Sequence, residues 1–196
     1  MADVKNAIVI QPSDPHWPGE FQRIALPLRA ALGDRALRLD HIGSTAVPGL
    51  AAKDVIDVQV TVAALDSAAI SAALAPLAYT PLPGITGDHL PPGRAAVPAE
   101  WAKLLFREPV GERRVNLHIR QAGRANQRYA LLFRDYLRAD PGAAAAYGQI
   151  KTALAQLHPN DVEAYYDVKD PVCDLIIAAA ELWATATGYT PGPSDQ

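Results

Sequence analysis

One stretch of the chain concentrates residue types suited to phosphate chemistry: His41-Ile42-Gly43-Ser44-Thr45-Ala46-Val47-Pro48-Gly49-Leu50-Ala51-Ala52-Lys53-Asp54-Val55-Ile56-Asp57-Val58. A strand-like run ends at Ile42, a Gly-Ser-Thr turn follows, and Asp57 stands early in the next strand-like run. Backbone amides of such a turn can hold phosphate oxygens. A carboxylate on the neighbouring strand can hold a divalent cation beside them. Phosphoryl and nucleotidyl transfer need positioning and charge neutralisation above all. Gly43, Ser44 and Thr45 are therefore the candidate phosphate-binding turn, and Asp57 the candidate catalytic and metal-binding carboxylate. Lys53 is a point charge able to anchor a phosphate. The plainer alternative is a simple turn, a solvated strand aspartate and a surface lysine.

Other polar residues bear on the same chemistry. His118 falls between Asn116 and Arg120 on the polar side of a later strand-like run, either as a metal ligand and acid–base group or as a hydrogen-bonded structural histidine. Imidazole favours Mn2+, Zn2+ or Fe2+ over Mg2+. Arg134 and Arg138 stand one helical turn apart and off the apolar stripe, and Arg134 is the one read as phosphate-binding. The structural alternative is a salt-bridged face with Asp135 and Asp140. Asp54 reads as structural or as a cap, and His41 as orienting the turn. Asp88 and His89 lie in a long loop from which they could close over a ligand.

These residues need elements to hold them. Val4 to Ile10 reads as a short first strand. Asp14-Pro15 reads as an N-cap and first helical residue, followed by Trp17, Phe21, Ile24 and Leu28 at helical spacing, with a kink or break expected at Pro27. Arg35 to Ile42 and Val55 to Val62 read as strands. In the second, Ile56, Val58, Val60 and Val62 share one face and Asp57, Gln59 and Thr61 the other. Leu65 to Leu77 reads as a covering helix, and residues 80–99 as a long loop rich in Pro and Gly. Trp101 to Arg107 and Arg113 to Arg120 form a hairpin pattern. The rest is helical: Tyr129, Leu132, Phe133, Tyr136 and Leu137 make one apolar stripe, and Tyr147, Ile150, Leu154 and Leu157 another, after Asp140-Pro141. Asn160-x-x-Glu163 resembles a capping box, and Asp170-Pro171 reads as the start of a last helix. One domain over residues 1–187, with a core at 1–122 and a helical segment at 123–187, is followed by a tail, 188–196, expected to be disordered.

Composition narrows the partners. Eighteen basic residues against twenty-one acidic ones give a formal charge of −3, no footprint for a nucleic-acid backbone. No run approaches a membrane span. The single cysteine, Cys173, excludes an internal disulfide, and the chain is read as cytoplasmic.

The run HIGSTAVPGLAAKDVIDV resembles the signature of the GrpB family. Asn116-Leu117-His118-Ile119, Leu132-Phe133-Arg134-Asp135-Tyr136-Leu137-Arg138 and Tyr166-Asp167-Val168-Lys169 are similar to further segments of that family, so the resemblance spans almost the whole chain. It implies an α/β (α+β) nucleotidyltransferase-like fold: a mixed, largely antiparallel sheet with flanking helices and a C-terminal helical segment. Active members of that fold carry Gly-Ser, then Asp-x-Asp on the next strand, then a third carboxylate on a later strand. Here Asp57 matches the first aspartate, Gln59 stands at the second, and the third falls near His118. Two readings follow from the resemblance. One is metal-dependent nucleotidyl or phosphoryl transfer from a nucleoside triphosphate to a small acceptor, with Mg2+ or Mn2+ held by Asp57 and His118. The other is a non-catalytic nucleotide-binding or folding-accessory module, similar to the extra domain of some dephospho-CoA kinases. Gln59 favours the second, and the polar strand faces beside the turn favour the first.

Overall fold

The computed structural model describes residues 7–196. Its elements run α1 (Trp17–Leu32), β1 (Arg38–Ile42), β2 (Ile56–Val62), α2 (Ser67–Leu74), β3 (Thr80–Pro81), α3 (Pro98–Trp101), β4 (Lys103–Arg107), β5 (Val115–Gln121), α4 (Ala125–Ala139), α5 (Pro141–Leu157) and α6 (Val162–Thr187). The sheet has the order β1-β2-β5-β4-β3. Only β2 and β5 pair in parallel; every other neighbouring pair is antiparallel. This is the mixed, largely antiparallel sheet with flanking helices that the resemblance implies.

The alternation in β2 decides which face meets which layer. Ile56, Val58, Val60 and Val62 join Trp17, Phe21 and Leu28 of α1 and Ile70 and Leu74 of α2 in the main core. Asp57, Gln59 and Thr61 point the other way, toward α4, where the Gln59 amide donates to the Gln127 carbonyl at 3.2 Å. The parallel register sets Asn116 beside Asp57 and His118 beside Gln59. Two further apolar clusters bind the helical segment together: Leu137 and Tyr147 with Val47 and Leu50 of the turn region, and Leu132 of α4 with Ile177 and Ala180 of α6. The first matters for the site, because it clamps α5 onto the loop that follows Gly43.

Several boundaries differ from those expected. Residues 7–10 form no strand, Gln11 makes only an isolated bridge to Ala52, and Val4 to Asn6 lie outside the described residues. Asp14 caps no helix: its carboxylate accepts from the His16 amide, and α1 starts at Trp17. That helix continues past Pro27 to Leu32, because Pro27 is on the exposed side, where water can serve the carbonyl that loses its donor. For the same reason α6 passes through the exposed Pro171 rather than starting there. Its N-cap is Asp161, one residue after the expected Asn160, and accepts from the Ala164 amide at 2.9 Å. Asp140 caps α5 as expected.

The tail is the largest correction. Rather than being disordered, it lies along the outer edge of β1. Ser194 Oγ accepts from the Leu39 amide at 2.9 Å and donates to the Leu39 carbonyl at 2.8 Å, while the Asp195 carboxylate accepts from the His41 amide at 2.9 Å. An edge strand offers unpaired amides and carbonyls, and this segment satisfies them. Among the described residues no helix is long and apolar enough to cross a membrane.

Candidate functional site

The site begins at Gly43. Its backbone angles, φ 69° and ψ −171°, belong to a region open essentially to glycine alone. They turn the chain from β1 into a short 3-10 turn, Ser44–Ala46. A Cβ at this position would sit 3.0 Å from Asp57 Cγ and closer still to Oδ2, so the glycine also makes room for that carboxylate. The Ala46 and Val47 amides close the turn onto Gly43 and Ser44, which leaves the Ser44 and Thr45 amides without a backbone partner among the described residues. Beneath the turn, His41 stacks on Phe21 at 5.0 Å, and its Nε2 lies 3.0 Å from Thr45 Oγ1, which donates to the Val55 carbonyl. Burial pushes the His41 imidazole down to about 4, so it is a neutral strut. The Thr45 side chain is therefore structural, and only its backbone faces the site.

Asp57 accepts from Asn116 Nδ2 at 2.8 Å through Oδ1, and His118 Nε2 lies 3.7 Å from the same oxygen. Burial acts to raise the carboxyl, but the polar N–H groups of His118 and of the Asn116 amide outweigh it and hold the group below its usual range. His118 is itself pushed down to about 4, first by burial and then by the Arg120 guanidinium. Arg120 Nη2 lies 3.3 Å from His118 Nδ1, and a guanidinium can only donate, so Nδ1 accepts and Nε2 carries the proton that faces Asp57. Gln59 is fully buried, with its carbonyl accepting from Arg120 Nη1 at 2.7 Å and its amide spent on Gln127.

This donor set does not fit a resident divalent ion. A ligating histidine turns its lone pair to the metal and its other N–H to an acceptor, whereas His118 turns its N–H to Asp57 and its lone pair to a guanidinium. Gln59 has no free oxygen. The described residues contain no group of three or more His, Cys, Asp and Glu side chains placed for a metal. Among the described residues one carboxylate, bonded through Oδ1, is what stands here.

Cations dominate the surroundings instead. On one side of Asp57 opens a cavity of about 350 Å3 whose lining includes Lys53, Arg107, Arg114, Lys151 and Lys169, with Asp57 its only acid among the described residues. Lys151 is 3% exposed and donates to Ser44 Oγ at 2.7 Å and to the Ala51 carbonyl at 2.6 Å. Burial pushes its ammonium down to about 7. Lys53 lies over the Tyr165 ring at 4.4 Å, and burial followed by repulsion from Lys169 and Arg114 lowers it too. Arg107 and Arg114 are exposed and have no ion pair among the described residues. On the other side of Asp57 lies a second cavity of about 300 Å3, walled by Trp101, Tyr129, Phe133 and Tyr147. Ser44, Asp57, Tyr147 and Lys169 line both.

Of the residues singled out in the sequence, Gly43, Ser44, Thr45, Lys53, Asp57 and His118 come together here. Arg134 does not. It is 3% exposed and commits four of its five N–H donors, to Asp135, to Asp195 at 2.7 Å and to the His41 carbonyl at 3.0 Å, so it fastens α4 and the tail to β1 rather than lining either cavity. Asp88 is likewise committed, to Lys103 and Arg120, and His89 pairs with Asp174 at 3.1 Å. Asp54 is structural as expected, accepting from Trp17 Nε1 and Arg113. The residues missed are Lys151, Lys169, Arg107 and Arg114. Lys151 left one sequence signal: it stands four residues after Tyr147, on the apolar side of its helix, where an unpaired lysine is costly.

The family model described as GrpB protein matches residues 7–179. A dephospho-CoA kinase of Mycolicibacterium paratuberculosis is 43% identical over 195 residues, covering 92% of this chain and 47% of that protein. The chain thus spans about half the length of the curated relatives of that kind. A UPF0157 protein of Halalkalibacterium halodurans is 34% identical over 174 residues, covering 89% of this chain and 83% of that protein. The crystal structure of the conserved protein GrpB from Enterococcus faecalis superposes with a TM-score of 0.72 at 29% identity, covering 89% of this chain and 99% of that one. Matched along nearly its whole length, the chain belongs to the GrpB family.

Proposed function

We propose that this chain is a nucleotide-binding module that takes the phosphates of a nucleoside triphosphate into the basic cavity. The observation that carries the reading is the gathering of Lys53, Lys151, Arg107 and Arg114 around the cavity beside the Ser44 turn, with Lys169 next to them paired to Asp170 and Asp57 the one carboxylate of the lining among the described residues. Burial and the neighbouring cations lower both Lys53 and Lys151, an arrangement that a polyanion relieves. The Ser44 and Thr45 amides and the Ser44 hydroxyl would take phosphate oxygens, and Lys151 would bridge the turn to the anion.

A second reading, transfer of a nucleotidyl group to a small acceptor, is favoured by the position of Asp57 on the wall common to both cavities. In it an acceptor oxygen would bond to the α-phosphorus, the bond to the bridging oxygen would break, and pyrophosphate would leave through the basic cavity. The acceptor proton then needs a base. Asp57 is held in its ionised form and is a weak one, and His118 already carries its proton toward Asp57. Both facts, with Gln59 in place of a carboxylate, weigh toward binding without transfer.

Calorimetric titration of ATP and of inorganic tripolyphosphate, with and without Mn2+, separates the two. The binding reading expects both to bind without added metal, to lose affinity at least tenfold in Lys151→Met, and to bind Asp57→Ala as tightly as the wild type or more so. Binding that needs Mn2+ and disappears in Asp57→Ala, together with pyrophosphate release, would establish the second reading. No binding of either anion would sink both.

A further inference from the structure

We infer that the second cavity is a subsite for a planar ring, uncharged or cationic, that carries an N–H or O–H donor. This rests on the phosphate reading of the first cavity only for the source of the ring, not for the site itself.

The key residue is Asn126, at the start of α4. It is 2% exposed and lines the cavity, and its Oδ1 is buried with no hydrogen-bond partner. Its orientation is fixed by chemistry. Nδ2 donates to Asp88 Oδ2 at 3.0 Å and to the Ala102 carbonyl at 2.9 Å, and exchanging the two amide atoms would set Oδ1 against both of those oxygens. Oδ1 is therefore an acceptor, held rigidly and lacking a donor. Buried acceptors of that kind are rare and costly unless a ligand or water serves them.

The walls indicate what would bring the donor. Tyr129 and Phe133 are stacked at 6.0 Å, Trp101 meets Tyr129 edge-on at 6.3 Å, and Tyr147 meets Phe133 edge-on at 5.7 Å. Such surfaces suit a flat ring. The charges are also unlike those of the first cavity. Asp88 is neutralised by Lys103 and Arg120, and Asp170 accepts from Lys169 at 2.7 Å, so among the described residues each Lys and Arg of this lining already has a carboxylate partner. The shared wall at Asp57 and Ser44 joins a phosphate-lined space to a ring-lined one. The ring could be the base of the bound nucleotide or belong to a separate molecule; the donor-bearing ring is common to both.

Trp101 lines the cavity and reports on it by fluorescence. Adenosine and tyramine are titrated as ring probes bearing donors, and purine riboside as a ring lacking the amino group. Saturable quenching by adenosine or tyramine is expected, at least tenfold tighter than purine riboside in the case of adenosine, and lost in Phe133→Ala. Asn126→Leu should erase the preference for adenosine; should that variant fold poorly through its tie to Asp88, the Phe133→Ala comparison still decides. If saturating ATP displaces the probe, and ATP binds at least tenfold tighter than tripolyphosphate, the ring is the nucleobase. If the probe still binds beside ATP, the ring belongs to a second molecule. Absence of saturable quenching, quenching equal in Phe133→Ala, or purine riboside binding as tightly as adenosine would overturn the inference and leave Asn126 served by water. Failure of tripolyphosphate to bind, with ring binding intact, would count against the phosphate reading alone.

Discussion

Lys151 Nζ reaches Ser44 Oγ at 2.7 Å across 107 residues of sequence, so the helical segment and the glycine-bounded turn share one cation. Burial lowers that ammonium to about 7, and an anion beside it should restore the proton. Affinity for tripolyphosphate is therefore expected to fall as pH rises above 7, by up to about tenfold per pH unit for one proton taken up. The same residue acts on stability with a definite sign. Its folded value lies below the ordinary 10.5, so the unfolded chain binds the extra proton between the two values, and stability from this group rises with pH across that window. The slope is at most about 1.4 kcal/mol per pH unit. Calorimetry and urea melts at pH 7, 8 and 9 should show both trends in the wild type and neither in Lys151→Met.

How much of this was readable in the sequence depends on how far each partner lies along the chain. Gly43, Ser44 and Asp57 fall within one strand–turn–strand unit, and their meeting was legible from spacing alone. The strand faces were too, because alternation in β2 is a local property. Lys151 was not, since it comes from α5, and nothing local says that its helix would be clamped by Leu137 and Tyr147 against Val47 and Leu50. Arg134 too is fixed by a distant partner. Its partner Asp195 lies 61 residues away, in a tail whose composition suggests fraying. Pro27 and Pro171 lie inside their helices because both face water, which the proline itself does not reveal.

Replacing Gly43 with alanine tests the approach of Asp57 to the turn. The backbone region alone should cost about 1–3 kcal/mol, and the added Cβ must also displace the carboxylate. Gly49 is a matched control: its φ is also positive, at 78°, but a Cβ there meets nothing within 4 Å. Gly49→Ala is expected to cost roughly 1–2 kcal/mol. Thermal melts should show Gly43→Ala as clearly the less stable, and anion titration should show altered binding in Gly43→Ala only. Equal losses in the two variants would mean that Asp57 does not press on the turn.

Asp88 ties Lys103, Arg120 and Asn126 into one buried knot beneath the ring cavity. Burial acts to raise its carboxyl, but the Arg120 guanidinium and the Lys103 ammonium hold it far below the ordinary carboxylate range. A depressed carboxylate stabilises fully above its unfolded value, 3.8, and that contribution is lost as pH falls below it toward the folded value. Asp88→Asn leaves two buried cations short of an anion and should cost about 3–5 kcal/mol at pH 7. Urea melts from pH 7 to pH 2 should show a steeper acid loss in the wild type than in the variant below pH 3.8, so that the two curves approach each other there. Parallel curves would mean that Asp88 is not ionised in the folded protein.

Removing residues 190–196 should expose the outer edge of β1 and leave Arg134 with one carboxylate fewer. The Asp195 carboxylate accepts from Arg134 Nη1 at 2.7 Å and from the His41 amide at 2.9 Å, and hydrogen bonds to charged groups contribute about 1.5–3 kcal/mol each when buried. The truncated chain should therefore melt lower, by several degrees for a domain of this size. It should also associate at rising concentration, because an uncovered edge strand recruits another. Asp195→Ala separates the two effects. It removes the ion pair but leaves Ser194 bonded to both Leu39 backbone groups, so it should lower the melting temperature while the elution volume on size exclusion stays that of the wild type. A truncated chain that melts and elutes like the wild type would mean that the tail does not hold β1 in solution.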